Sequence, residues 1–309
     1  MRVIVLGSAA GGGIPQWNCG CENCRRARAG DPAVPARTQS SMAASADGAR
    51  WLLCNASPDL RQQAAATPAL HPQPGARRGT PISAVLLTNA DIDHVAGLLS
   101  LRESEPFALY ASARIHAAVD ANPIFEALDR TKVVRRTIEL GEPTRIADAA
   151  GEPLGLQVTL FPVPGKVALW LEGGGQDPAA LAGQAGDTVG VELSDGARRV
   201  CYVPGCARVT AEFKDRIAGA DLLLFDGTLW DDDEMVRLGL GPKTGARMGH
   251  IAVGGPEGSI AALRDVPLGR RAFVHLNNSN PLLAADSRER AEAAAAGWEV
   301  ASDGQEFRP

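Results

Sequence analysis

The sequence is short of aromatic residues and has no long apolar run. Only 7 Phe, 5 Trp and 2 Tyr occur in 309 residues, so aliphatic side chains must fill most of the core. No stretch reaches the roughly 18 apolar residues that a membrane-spanning helix needs, and we expect no membrane insertion. The apolar segment at 3–6 is too short for a secretory signal peptide, so we expect a cytoplasmic protein.

No charge of one sign dominates the chain. The 31 Lys and Arg against 36 Asp and Glu give a net charge of -5 at pH 7. A mildly acidic protein is a poor electrostatic partner for nucleic acid, and we expect no nucleic-acid binding. The glycines at 7–13 lack the GxGxxG spacing of dinucleotide-binding loops, and no GxSxG nucleophile turn occurs.

Short apolar segments alternate with helical patterns along the chain. This order is typical of an α/β protein in which sheets are covered by helices, and we expect one domain, residues 1–309, with two sheets. The glycine-rich stretch at 173–186 is interpreted as a loop and not as a domain boundary. Among the predicted elements are strands at 2–6, 51–54, 84–87 and 272–276, and helices at 58–66 and 256–264.

Three cysteines, Cys19, Cys21 and Cys24, lie within six residues. In a cytoplasmic protein such crowded thiols indicate a tetrahedral zinc site more than disulfides, and free thiols in a loop are the alternative. A structural zinc site takes four protein ligands. The fourth must therefore come from elsewhere in the chain, with Asn278 or a histidine as candidates.

The sequence TNADIDH at 88–94 follows a predicted buried strand and opens a helix. Loops at the carboxyl ends of strands commonly hold functional sites. Asp91, Asp93 and His94 place two carboxylates and an imidazole in this one turn. Capping of the helix by one aspartate is the alternative, but it leaves the other carboxylate and the histidine unexplained.

His275 ends another apolar strand, in AFVHLNNSNP. Together with Asp93 and His94 it would provide two imidazoles and one carboxylate. This ligand set leaves metal positions open, which suits a non-haem Fe(II) ion that activates O2. It suits equally a zinc ion with an open site for hydrolysis, and the spacing does not choose between the two metals.

Several segments together resemble the metallo-β-lactamase superfamily and, within it, proteins of pyrroloquinoline quinone (PQQ) biosynthesis. The segments are VLGSAAGGGIPQWNCGCENC at 5–24, TNADIDHVAGLLSLRE at 88–103, MGHIAVGG at 248–255 and HLNNSNP at 275–281. The resemblance implies an αββα sandwich, with two mixed sheets flanked by helices and the site at one edge of the sheets. It also implies that the cysteines at 19–24 form a structural zinc loop.

The superfamily's metal motif is HxHxDH, and this chain departs from it. Asn89 and Asp91 stand at the two leading histidine positions, while Asp93 and His94 are retained. Lys166 lies near the place of the mid-chain histidine, and Gly205 replaces the bridging aspartate. The resemblance therefore implies a single metal ion in place of the usual pair.

For activity, the resemblance implies Fe(II)- and O2-dependent hydroxylation of the tyrosine ring of a cross-linked Glu–Tyr precursor of PQQ. Asp93, His94 and His275 would bind iron, and Asp91 would add a ligand or orient bound water. His250 would move protons, and Asn277 and Asn278 would contact substrate. Two other functions stay open: a soluble carrier that assists transport of PQQ or its precursor to the periplasm, and a zinc-dependent hydrolase of the pathway. Expected partners are PQQ or its precursor and other PQQ-pathway proteins, and a homodimer is left open.

Overall fold

Two seven-stranded sheets form the framework of the protein in a computed structural model that describes residues 1–171 and 183–309. Most of the loop predicted at 173–186 lies outside the described residues. The strands are β1 (Arg2–Gly7), β2 (Ser41–Ser45), β3 (Trp51–Cys54), β4 (Ile82–Leu86), β5 (Phe107–Ala111), β6 (Val133–Thr137), β7 (Thr144–Ala147), β8 (Pro153–Pro162), β9 (Val189–Ser194), β10 (Arg199–Val203), β11 (Leu222–Asp226), β12 (Arg270–Val274), β13 (Glu299–Val300) and β14 (Glu306–Phe307).

The helices of the described residues are short and lie between strands. The α-helices are α1 (Glu22–Arg28), α2 (Leu60–Ala66), α3 (Ile92–Val95), α4 (Ala113–Asp120), α5 (Ala211–Ile217), α6 (Glu234–Arg237), α7 (Gly245–Met248), α8 (Ser259–Ala262) and α9 (Arg288–Ala295). Short 3₁₀ helices occupy Pro68–Leu70, Ala96–Leu101, Pro123–Ala127, Leu169–Leu171 and Pro281–Leu283. None of these helices has the length and apolar character needed to cross a membrane.

Both sheets are mixed. The first sheet has the order β14-β1-β2-β3-β4-β5-β6, and the second has the order β13-β12-β11-β10-β9-β8-β7. Strands β3 to β6 run parallel in the first sheet, and β10 to β13 run parallel in the second. Buried aliphatic side chains from both sheets pack in one cluster, and helices flank the pair. The αββα sandwich with two mixed sheets is therefore confirmed.

Apolar patterns located the buried strands well, because strands covered on both faces are nearly continuous apolar segments. Strand β3 occupies the predicted residues 51–54, and all four of its residues are buried. The helix predicted at 58–66 begins later, at Leu60, because Ser57 Oγ accepts a hydrogen bond from the Asp59 amide (3.3 Å) in a preceding turn. The helix predicted at 256–264 is limited to α8, since a tight turn places Gly258 against the Gly254 carbonyl.

Candidate metal centre

The acidic turn at 88–94 follows strand β4 and is anchored by a residue at the end of β3. Asn55 has a left-handed backbone, with φ of 63°, and its side chain exchanges two hydrogen bonds of 2.9 Å with Thr88. The Ala56 amide donates to the His94 carbonyl at 2.7 Å. These bonds fix both ends of the turn to the first sheet.

His275 comes from the second sheet, directly after β12. The Leu276 amide donates to the Ser8 carbonyl (3.0 Å), and the Ala10 amide donates to the Leu276 carbonyl (2.7 Å). This pairing joins the segment after β12 to the segment after β1. His275 itself has φ of 57°, a conformation that costs a residue other than glycine free energy and that often occurs at functional sites.

The structure brings Asp93, His94 and His275 together. His275 Nε2 lies 3.1 Å from Asp93 Oδ2, and His94 Nε2 lies 3.9 Å from the same oxygen. One ligand atom from each residue lies within 4.8 Å of the other two. Both histidines are buried, with exposed fractions of 1% and 5%. Two imidazoles and a carboxylate therefore converge on one point from the ends of two sheets.

Hydrogen bonding orients His94 for metal binding. Its Nδ1 lies 2.7 Å from Asn89 Oδ1, which can only accept, so Nδ1 carries the proton. Nε2 is then the nitrogen with the lone pair, and it is buried without a hydrogen-bond partner in the part of the chain that the structure describes. Burial lowers the pKa of His94 to about 4, so the ring is neutral at pH 7. An unpartnered buried lone pair is what a metal ligand offers.

A hydrogen bond at Nδ1 orients His275 as well, and it leaves Nε2 directed to Asp93. Its Nδ1 lies 2.8 Å from Thr228 Oγ1, whose own hydrogen is available to Asp226 Oδ1 at 2.6 Å. Burial alone would lower the pKa of His275, but the Asp93 carboxylate outweighs it and holds that pKa above its usual value. Without a metal, His275 Nε2–H therefore donates to Asp93, and a metal ion would displace this proton.

Asp226 and Thr228 were not singled out from the sequence, yet they connect two histidines of the site. Asp226 is fully buried and accepts hydrogen bonds from the Cys206 amide (2.8 Å) and from His250 Nδ1 (2.7 Å). The His250 ring stacks on the His275 ring with centroids 5.1 Å apart. One ligand atom each from Asp226, His250 and His275 also lies within 4.8 Å of the other two, a spacing that could hold a metal ion. Because the atoms concerned already bond to one another and to Thr228, we assign this group as a hydrogen-bond network and not as a metal site.

Asp91 and Lys166 lie beside the cluster. Asp91 takes the N-cap position of α3, but its side chain makes no capping bond, so the capping alternative does not explain it. Its Oδ1 lies 3.5 Å from the Lys166 ammonium. Gly11 borders the centre on the other side, because a Cβ there would lie 3.4 Å from Asp93 Oδ2.

The three cysteines form a second cluster, and Asn278 adjoins it. The Sγ atoms of Cys19, Cys21 and Cys24 lie within 4.8 Å of one another, close enough to bind one metal ion, and Cys24 is fully buried. Asn278 Nδ2 lies 3.2 Å from Cys24 Sγ and 3.7 Å from Cys21 Sγ. An amide turned about its terminal bond would direct its oxygen to the same point, so Asn278 is our candidate for the fourth zinc ligand. Burial raises the pKa of Cys21 to about 12, so this thiol would lose its proton on binding zinc.

Among the described residues, no side-chain hydrogen bond joins either predicted substrate-binding asparagine to Asp93, His94 or His275. The side chain of Asn278 is directed to the cysteines, as described above. Asn277 Nδ2 donates to Ser279 Oγ at 2.5 Å and lies 3.1 Å from Met235 Sδ. The structure thus directs Asn278 to the cysteine loop and Asn277 to Ser279 and Met235, and substrate binding by either asparagine stays a prediction.

Sequence and structure comparisons agree on the family. The β-lactamase superfamily domain model matches residues 50–276. Coenzyme PQQ synthesis protein B from Methylobacterium nodulans is 57% identical over 309 residues, which are 100% of both chains. The same protein from Methylorubrum extorquens is 56% identical and covers 98% of each chain. The chain belongs to the coenzyme PQQ synthesis protein B family.

Solved structures agree with this assignment. The crystal structure of Zn(2+)-bound PqqB from Methylobacterium extorquens covers 100% of both chains, with 55% identity and a TM-score of 0.93. A diphosphatase from the PhnP family covers 99% of this chain and 97% of its own, with 18% identity and a TM-score of 0.66. The second likeness shows the fold alone.

Proposed function

We propose that the protein acts in PQQ synthesis as an Fe(II)- and O2-dependent hydroxylase of the tyrosine ring of the cross-linked Glu–Tyr precursor. Membership in the family supports the pathway. The observation that carries the chemistry is the convergence of Asp93, His94 and His275, with the buried Nε2 of His94 unpartnered among the described residues. Two imidazoles and one carboxylate leave open positions of the kind that non-haem Fe(II) oxygenases use.

The donor set fits a single divalent ion. Asn89 bonds to Nδ1 of His94, and Thr228 bonds to Nδ1 of His275. Both Nε2 atoms therefore face Asp93. Bound there, iron would supply the means to activate O2. Putting one oxygen atom into a ring C–H bond leaves the second to be reduced to water by two electrons from an added reductant.

Side chains near the metal ligands would transfer protons at this centre. His250 stacks on His275 and is 16% exposed, while its Nδ1–H donates to the buried Asp226 carboxylate. This bond leaves His250 Nε2 to accept or donate a proton, with Asp226 stabilising the charged ring. We propose that His250 accepts the phenolic proton of the substrate or supplies protons to reduced oxygen. Asp91 would orient water beside the metal.

A zinc-dependent hydrolase is the second candidate, because the relative of 55% identity was solved with Zn(2+) bound. Zinc would suit the same three ligands, and the Asp226–His250 pair could protonate a leaving group. A carrier for PQQ or its precursor stays a prediction, as do pathway-protein partners and a homodimer. We also propose that residues 1–309 form one domain.

Anaerobic reconstitution distinguishes these functions. Protein loaded with Fe(II) is mixed with the cross-linked precursor and a reductant such as ascorbate, O2 is admitted, and products are analysed by mass spectrometry. We expect the precursor to gain oxygen atoms, with O2 consumption that Zn-loaded protein and the His275→Ala variant lack. Cleavage by Zn-loaded protein alone would establish the hydrolase instead, and tight binding of PQQ without turnover of the precursor would establish the carrier.

A further inference from the structure

Lys166 places a fixed positive charge beside the histidine cluster. It lies on the segment between β8 and β9, and its side chain is 17% exposed. Nζ lies 3.5 Å from Asp91 Oδ1 and donates to the Val167 carbonyl at 3.2 Å. The ammonium therefore engages Asp91, a carboxylate next to the cluster that would also attract a metal cation.

Packing holds Lys166 in this position. The Gly183 amide donates to the Gly165 carbonyl (3.1 Å), and the Ala207 amide donates to the Pro164 carbonyl (2.7 Å). Gly249, in the turn before His250, has φ of 86°, and a Cβ there would lie 3.3 Å from Lys166 Cγ. The missing side chain lets this turn pack directly on the lysine stem, which restricts where the ammonium can go.

Three carboxylates act on His275. Asp93 Oδ2 lies 3.1 Å from its Nε2, Asp226 reaches it through the Thr228 hydroxyl, and Asp91 acts on it electrostatically. Such a carboxylate-rich site is otherwise suited to two metal ions about 3.5–4 Å apart. A second divalent ion would have to compete with Lys166 for Asp91.

We propose that the Lys166 ammonium takes the place of a second metal ion and limits the histidine cluster to one. The inference rests on the part of the proposed function that puts one metal ion on Asp93, His94 and His275. It does not depend on hydroxylation. Lys166 is a positioning residue here, since it acts through Asp91 and through the charge of the site.

Metal counting with Co(II) tests the proposal. Wild-type protein should bind two ions per chain, one at the cysteines and one at the histidine cluster. Lys166→Glu removes the ammonium and adds a carboxylate beside Asp91, so it should bind a third ion. Magnetic coupling between the two cluster ions would show in electron paramagnetic resonance spectra. Lys166→Arg keeps the positive charge and should bind two ions.

Lys132→Glu makes the same charge change at an exposed position and should also bind two ions. The proposal is overturned if folded Lys166→Glu protein binds only two ions, or if wild-type protein already binds three. A wild-type protein that binds one ion, at the cysteines alone, would instead overturn the metal centre of the proposed function.

Discussion

The Thr228 hydroxyl holds two histidines of the site, His250 and His275, in position. The hydroxyl lies 2.8 Å from His275 Nδ1 and 3.0 Å from His250 Nδ1, and it can donate to Asp226. We expect Thr228→Val, which keeps the shape and removes the hydroxyl, to weaken metal binding at the cluster by about 10–100-fold. Unsatisfied buried partners should lower the free energy of unfolding by about 1–3 kcal/mol.

Metal titration followed by calorimetry, with urea denaturation beside it, would measure both effects. Thr131→Val is the matched control, because Thr131 is exposed and its hydroxyl donates to the nearby Asp129. Its effect on stability should stay within about 0.5 kcal/mol. Unchanged metal affinity in Thr228→Val protein would contradict the orienting role.

Glu234 makes stability depend on pH. It is 1% exposed and accepts hydrogen bonds from Ser279 Oγ and from the Trp230 amide (2.8 Å), while burial raises its pKa from 4.5 to about 6. The folded protein therefore binds this proton more tightly than the unfolded chain does. The resulting stability is fully present below about pH 4.5 and is lost as pH rises through about 6, a change of about 2 kcal/mol.

Glu234→Gln carries no titrating group at this position. The unfolding free energy of the variant relative to wild type should therefore rise by about 2 kcal/mol between about pH 4.5 and 7.5, measured by urea denaturation. Glu257→Gln alters an exposed glutamate and should show no such change. A difference that stays constant with pH in Glu234→Gln protein would mean that Glu234 ionises normally.

The sequence indicated the residues that the structure brings together, but not Asp226 and Thr228, which connect His250 and His275. Asp93, His94 and His275 follow apolar strands and combine metal-binding side chains, so position and chemistry both indicated them. Asp226 ends the apolar strand LLLFD in the same way and offered the same signal. It was passed over because its partners, Thr228 and His250, are separated from it by a turn and by 24 residues, and only the fold makes them neighbours.

The cysteine loop is an element that zinc would connect to the rest of the protein. It leads into α1, and Asn23 Nδ2 donates to the carbonyls of Asn278 (3.1 Å) and Asn280 (2.9 Å). We expect Cys21→Ser to lose zinc and to be less stable by at least about 2.7 kcal/mol where free zinc exceeds the wild-type Kd about a hundredfold. Elemental analysis and denaturation would measure these losses.

Cys201→Ala is the control for that variant. Cys201 is buried in β10 and does not belong to the cysteine cluster, so its replacement should leave the zinc content at the wild-type level. Full zinc content in Cys21→Ser protein would remove Cys21 from the ligand set.

The residue types within a strand determined whether the strand could be predicted from the sequence. Strand β3 was found at its true residues because WLLC is wholly apolar. Strand β2, with the sequence SMAAS, was missed because its small side chains give neither an apolar segment nor an alternating pattern. It is nevertheless buried throughout, since it pairs with β1 and β3 on its two sides. Sheet pairing, which no local pattern encodes, makes it a strand.

At the scale of the whole molecule, the candidate centre connects the two sheets. Asp93 and His94 follow β4 of the first sheet, and His275 follows β12 of the second. A bound ion should therefore raise the free energy of unfolding of the whole protein, by about 2.7 kcal/mol when free metal exceeds its Kd a hundredfold. His275→Ala should lose this increase while it keeps the cysteine-bound zinc.

Thermal unfolding with and without added metal, together with metal analysis, would check this expectation. His71→Ala is the control, because His71 is exposed, follows the 3₁₀ helix Pro68–Leu70 and belongs to neither candidate metal cluster. If His275→Ala protein retained both its cluster metal and the stabilisation by metal, the assignment of the centre would be wrong.

The distance along the chain between the ligands of the two clusters sets an order of assembly on the ribosome. The three thiols lie at 19–24, so a growing chain can capture a thiol-seeking ion before His275 has been translated. The oxygen- and nitrogen-lined pocket forms only once His275 has joined Asp93 and His94. Asn278 follows three residues later, so the ion at the cysteines is the first to be captured and the last to gain its full set of ligands.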